Sequence, residues 1–249
     1  MSGHSKWHSI KHKKAVVDAR RGQQFTKLAR AITVAAKEGG GDPEGNSALA
    51  LAIQKARDAS MPKDNIERAI GKGTGEGSDG EQIETVLYEG YGPGGVALLI
   101  EAVTDNRNRT GSEIRHLLSK HGGNLGEPGS VSYLFDKQGV IVVDATRYDE
   151  DDLIPAIDAG ALDISVDEDV FEVITEPSDL VAVRDALAGA GVQIESAELS
   201  QRPKSRVPVD EADATKLLRL IDALEESDDV AAVHANYDVD VSVLERIAT

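Results

Sequence analysis

Lys6, Trp7, His8, Lys11, His12, Lys13, Lys14, Arg20 and Arg21 crowd nine chemically useful side chains into the first 21 residues. The cations can neutralise phosphates, the histidines can hydrogen-bond, and Trp7, the chain's only tryptophan, can stack on a base or ribose. His4, His8 and His12 recur every four residues, a spacing that on a helix gives one face and would suit a metal. No carboxylate stands among them, however, and the neighbouring lysines repel a cation. A basic arm that orders on a polyanion is therefore the stronger reading, and no metal is expected. Trp7 and Ile10 have an alternative use, docking the arm on the helices that follow.

A second group lies far downstream. Arg107 and Arg109, with Asn106 and Asn108, occupy the segment between a predicted strand and a predicted helix. Such a segment can meet phosphates or a structured surface, though capping and solvation explain it equally simply. Arg202, Lys204 and Arg206 near Pro203 and Pro208 read as a solvated crossover.

Other strings lead nowhere. Gly75-x-Gly77-x-x-Gly80 and Gly90-x-Gly92-x-x-Gly95 match the dinucleotide fingerprint, but the first sits in a linker and the second between two strands. The chemistry needs a strand before and a helix after. Without cysteine there are no disulfides, no thiol nucleophile and no Cys-based zinc site. Neither G-x-S-x-G nor H-E-x-x-H occurs. The expectation is a protein that is not an enzyme and needs no cofactor.

Charge divides the chain that positions these groups. Residues 1–37 hold nine Lys or Arg against Asp18 alone, within a protein of net charge −17. Residues 1–75 sum to +7 and the remainder to −24. A cationic end on an anionic body suits a protein that lays that end on nucleic acid. Residues 144–179, with thirteen acids and one arginine, lack EF-hand spacing and read as a solvated acidic face. No apolar h-region follows the early charges, and no apolar run approaches the ~20 residues of a membrane span. A cytoplasmic protein with no membrane partner is expected.

Periodicity predicts helices over 15–38, 47–59 and from Pro62 to Gly71, the last ended by Gly71. Residues 71–82 read as a linker. Strands follow at 84–91 and 96–104, then a helix with a Thr110–Glu113 capping box, then a strand at 131–135. From Val140 the order strand, helix, strand, strand, helix, strand is the split arrangement of a ferredoxin-like unit, with Ser178 capping its second helix. A helix at 211–226 and a strand at 230–237 complete the chain. Alone, that last pair would expose its apolar faces, so it should return to the first α+β unit. The expected class is α+β: a helical domain (1–75) followed by two ferredoxin-like α/β domains, a discontinuous one (80–135 plus 208–249) and one (136–207) inserted into it.

The strings SGHSKWHSIKHKK, RRGQQFTKLARAITVAAKEGGGDP, ALAIQKARDASMPKDNIERAIGKG and YEGYGPGGVALLIEAVTDNRNRT resemble the YebC/PmpR family, densely over residues 2–135 and more loosely beyond. Mitochondrial relatives are known as translational activators of cytochrome c oxidase. The resemblance implies three domains with the third inserted in the second, a cytoplasmic location and nucleic-acid association. It implies one of two roles, a transcriptional regulator or a ribosome-linked factor that helps synthesis through difficult stretches such as proline runs. A sequence-reading factor needs base-reading side chains on a groove-entering element, whereas a ribosome ligand needs shape and phosphate contacts. The basic arm fits the second better. The favoured expectation is an RNA-binding translation factor on ribosomal RNA, and the alternative is a DNA-binding regulator. Oligomeric state is left open.

Overall fold

The computed structural model describes residues 19–75, 83–167 and 169–247. Three helices come first: α1 (Ala19–Gly39), α2 (Ser47–Asp58) and α3 (Lys63–Thr74). Ile32, Ala36, Leu49, Ile53, Ala56, Met61, Ile66 and Ala69 fall at helical spacing and close over one small core. Asn46 joins two helices at once. Its side-chain oxygen accepts from the Leu49 amide at the start of α2, and its amide group donates to the Ala35 and Gly40 carbonyls at the end of α1.

Helix α3 does not stop at Gly71. It runs to Thr74 and ends on Gly75, whose φ of 90° is the left-handed cap. The glycines inside it serve packing instead. A Cβ on Gly73 would lie 2.4 Å from the Thr33 carbonyl oxygen of α1, so the two helices touch through bare backbone.

The first sheet has the order β3-β1-β2-β9, antiparallel throughout. Its strands are β1 (Glu84–Tyr91), β2 (Ala97–Thr104), the two-residue β3 (Asn124–Leu125) and β9 (Val230–Ala235). Helices α4 (Arg107–Lys120) and α7 (Glu211–Glu225) lay Ile114, Leu118, Leu217, Leu218, Ile221 and Leu224 on its face. The β1–β2 hairpin takes the two central places, and the elements run strand, strand, helix, strand, then helix, strand, so this sheet does not follow the split ferredoxin-like arrangement expected for it. Residues 132–134 form a 3-10 turn rather than the expected strand, because Glu89 gathers that loop: its carboxylate accepts from the Gly129, Val131 and Ser132 amides.

The chain then enters a second sheet, β5-β6-β4-β7, again all antiparallel. Here β4 is Phe135–Asp144, β5 Ala161–Asp167, β6 Val170–Thr175 and β7 Ile194–Pro203. Short α5 (Ile154–Asp158) and α6 (Leu180–Gly189) cover one face around Ile141, Val143, Leu153, Val173, Val183 and Leu187. No side-chain cap bond is made at the start of α6. Ser178 turns instead to the Asp179 carboxylate. The chain returns through a short parallel pair, β8 (Val207–Pro208) with β10 (Tyr237–Asp238), and ends in α8 (Val241–Ile247), which the periodicity did not predict.

Candidate nucleic-acid interface

Gln23, Lys27, Arg30 and Lys37 recur along α1 at helical spacing and form one stripe. That stripe is turned inward, against the end of α7 and the turn into β9. The Gln23 side chain donates to the Glu226 carbonyl and the Lys27 ammonium to the Glu225 carbonyl. These carbonyls close the last turn of α7, where intrahelical partners run out and positive charge is favoured. Lys37 donates to the Ile83 carbonyl at the entry to β1, at 3.0 Å.

Arg30 reaches furthest. Its guanidinium donates to the Asp228 carbonyl at 2.8 Å and to Asp229 Oδ1 at 2.7 Å. Asp229 is buried, with its side chain 6% exposed. Its other oxygen accepts from Arg109 Nη2 at 2.8 Å and from the Thr110 hydroxyl at 2.7 Å. Burial alone would raise the Asp229 pKa. The bonds from Thr110, Arg109 and Arg30 outweigh it and hold the carboxyl below its ordinary range. Reciprocally, bonds to Asp229 and Asp105 push the Arg109 pKa above its usual value. The buried carboxylate thus clasps α1 to the first sheet and to α4 together.

This geometry places the expected site residues. Arg107 and Arg109 share the first turn of α4, which Asn106 caps by accepting from the Arg109 amide. Thr110, expected in a capping box, is buried and faces Asp229. Both arginines have carboxylate partners: Arg107 Nε lies 2.7 Å from Glu84, and Arg109 bridges Asp105 and Asp229. A guanidinium shared between two carboxylates has little charge left for a phosphate while the clasp is closed. Arg20 and Arg21 stand on α1 with side chains outside the described residues, where Lys6, Trp7, His8, Lys11, His12, Lys13 and Lys14 also lie. Lys204 makes an exposed pair with Asp136, but Arg202 lies in β7 and reaches the buried Glu172, so it is not part of the solvated crossover expected.

Beside the clasp, α1, α3 and the entry to β1 enclose an open cleft of about 440 Å³. Phe25, Ala29, Met61 and Ala69 supply an apolar wall and Arg68 and Lys72 supply cations, with Asp105 and the Asp229-bound Arg30 also in the lining. An apolar wall with cations beside it suits a base and its phosphate in a single strand. Arg68 and Lys72 escaped the sequence reading. Their four-residue spacing on α3, on the side that meets α1, was the available signal. Among the described residues, no three His, Cys, Asp or Glu side chains group to hold a metal, and no helix is long and apolar enough to cross a membrane.

Comparison with known proteins bears on the whole chain. Residues 5–76 match the family described as the TACO1/YebC protein N-terminal domain, and residues 83–237 match the TACO1/YebC second and third domain. The chain belongs to the TACO1/YebC family. A protein of Rubrobacter xylanophilus named "probable transcriptional regulatory protein" is 56% identical over 100% of both chains. One of Persephonella marina with the same name is 53% identical, also over 100% of both. The crystal structure of a conserved hypothetical protein from Aquifex aeolicus superposes with a TM-score of 0.84 at 52% identity. That match covers 93% of this chain and 96% of the other. Within this TACO1/YebC member the α+β class of the expectation holds, with helices first and two antiparallel sheets after.

Proposed function

We propose that this protein regulates gene expression by binding nucleic acid, and that it acts as a translation factor gripping ribosomal RNA through its basic N-terminal segment. On this reading residues 1–75 are the gripping domain, 80–135 with 208–249 the domain it is clasped to, and 136–207 an inserted third. The supporting observation is the division of charge within the front end. Of the nine cations in residues 1–37, Lys27, Arg30 and Lys37 are spent on the protein's own backbone and Asp229. The reading assigns the other six, Lys6, Lys11, Lys13, Lys14, Arg20 and Arg21, to phosphates, with Trp7, His8 and His12 stacking and hydrogen-bonding among them. Arg107 and Arg109 are a second contact available when the clasp loosens. The relatives' names support the coarser reading, a regulator of gene expression, and the proposal places it in the cytoplasm.

Those names also favour a second reading, a DNA-binding transcriptional regulator. Helix α2, the turn at 59–62 and α3 have the connectivity of a helix-turn-helix. The exposed side of α3, however, carries Asp64 and Glu67 beside Lys63, and those acids oppose insertion in a groove. Shape and phosphate recognition of RNA asks less of such a surface.

Binding of the full chain to a single-stranded RNA across a salt series tests the proposal. With about five phosphates engaged, log K should fall with log salt at a slope of about −3.5. Lys11→Gln, Lys13→Gln and Lys14→Gln together should reduce the slope to about −1.4 and weaken all sequences alike. A flat salt dependence, or full affinity after deletion of residues 1–21, overturns the reading. Selective loss of one duplex DNA sequence transfers the case to the regulator.

A further inference from the structure

Among the described residues, the inserted sheet ends in a strand with no further strand beside it. Strand β5 is the outermost in the order β5-β6-β4-β7, so one row of its backbone N–H and C=O groups has no strand partner among the described residues. Its sequence, ALDISVD, contains neither the lysine nor the proline that commonly blunts such an edge. The side chains there are apolar and open to solvent. Leu162 is 53% and Val166 54% exposed on β5, and Ile154 and Ile157 on the adjoining α5 are 49% and 58% exposed. They account for four of the six large hydrophobic side chains exposed among the described residues. Between them lies a shallow groove of about 410 Å³, with Ile157, Ile164 and Phe171 in its lining and Glu150 and Asp163 at its polar limits.

The charge at this patch selects its occupant. Glu150 and Asp163 line the groove, and the segment that carries it, residues 144–179, holds a single arginine and thirteen acids. Among the described acids of that segment only Glu172 is buried, against Arg202. Arg147 is engaged with Gln193 and Tyr148. A second copy of this chain would bring the same acids against themselves, which disfavours pairing across β5. Nucleic acid would be repelled as well. What remains is a polypeptide with cations to meet the acidic fringe and apolar side chains for the groove. We propose that β5 and α5 dock an extended, basic segment of another protein, in which apolar residues alternate with lysine or arginine, added as a further strand. Main-chain hydrogen bonds along the edge give affinity, alternate side chains enter the groove, and the intervening cations face the acids. The inference goes beyond the nucleic-acid reading and uses none of its residues, so either can fail alone.

The test uses the full chain with a fluorescent peptide of alternating Lys and Val, and a Glu–Val peptide as control. Anisotropy should show saturable binding of the first and none of the second. Amide exchange across Ala161–Asp167 should slow in the complex. The double variant Leu162→Ser, Val166→Ser keeps every charge and alters only exposed side chains. It should weaken the Lys–Val peptide about tenfold. Unchanged affinity in that variant without slowed exchange overturns the proposal, since attraction to the acidic surface alone would then explain binding. Slowed β5 exchange that follows protein concentration without peptide overturns it in favour of self-pairing. The same protection by an RNA oligonucleotide overturns it in favour of nucleic acid.

Discussion

Replacing Asp229 with asparagine should release α1 from the first sheet. The carboxylate is buried and joins Arg30 at 2.7 Å, Arg109 at 2.8 Å and Thr110 at 2.7 Å. An amide there keeps one acceptor, loses the charge, and turns an N–H₂ group toward a guanidinium or a hydroxyl. Breaking a fully buried pair costs about 3–5 kcal/mol. The side chains of Arg30 and Arg109 are 27% and 49% exposed, so water recovers part of that loss. The expected cost is about 2 kcal/mol, consistent with a hydrogen bond to a charged group. A three-part chain need not unfold in one step, so the sharper assay is native-state hydrogen exchange at the α1 amides. Those amides should speed up while the β4 and β6 amides hold. A cycle with Arg30→Met should show a coupling of about 1 kcal/mol. Acid should reproduce the effect. Because the folded Asp229 pKa lies below its unfolded value, the contribution is whole above about pH 4 and is lost as pH falls through the folded pKa. The reasoning is refuted if Asp229→Asn costs under about 0.5 kcal/mol and the coupling vanishes, the behaviour of a surface pair.

Three further outcomes follow from the same geometry. Gly73→Ala would set a methyl 2.4 Å from the Thr33 carbonyl oxygen and 2.7 Å from Ala36 Cβ, forcing α3 off α1. It should lower stability by about 1–3 kcal/mol, read as a fall in Tm. Glu89→Gln should cost about 1.5–3 kcal/mol in urea unfolding, since the carboxylate holds the Gly129, Val131 and Ser132 amides. Burial would raise the Glu89 pKa, but those amide bonds hold it below the usual range, so this contribution also disappears only in acid. Arg68→Gln with Lys72→Gln, both at the cleft, should reduce the magnitude of the RNA salt slope by up to about 1.4 if single-stranded RNA runs through it, and should leave the slope unchanged otherwise.

Much of this architecture was legible because period and punctuation agreed. Ser47–Asp58, Glu84–Tyr91 and Glu211–Glu225 all emerge within a residue or two of where apolar spacing puts them. The return of the last strand followed from an unpartnered apolar face, and β9 does pair with β2. Three of the misreadings share a cause: a residue with a strong local preference was recruited by something distant. Gly71 looked like a terminator, yet the helix continues so that Gly73 can meet α1. Thr110 looked like a cap, yet its hydroxyl serves Asp229, 119 positions away. Residues 131–135 had strand composition, but Glu89 bends their backbone into a turn. The clasp itself was invisible for the same reason. Asp229 is one acid among 44, and nothing local marks it as one of the few that are buried.

Net charge alone would assign all nine front-end cations to one purpose, and the clasp shows why that is too simple. Lys27 and Arg30 are half-buried on α1, where they meet a helix-end carbonyl and a buried carboxylate, and the exposed Lys37 meets the Ile83 carbonyl. Their partners are fixed in space, so binding a polymer through them would first require breaking bonds already made. The ones before Gly22 carry no such obligation in the proposal, and they share a helix or its approach with the anchored set. Anchoring the rear of α1 therefore fixes where its front can point. If the front grips RNA, then the clasp should matter to binding without touching the polymer. Loosening α1 by Asp229→Asn would leave every phosphate-facing cation in place and free Arg109 from one of its two carboxylates, so the salt slope should hold or steepen by up to about 0.7. Affinity should nevertheless drop, because a grip that is no longer held in one orientation loses more freedom on binding. Equal affinity in the loosened protein would separate arm from body and remove the reason for calling the body a positioning device.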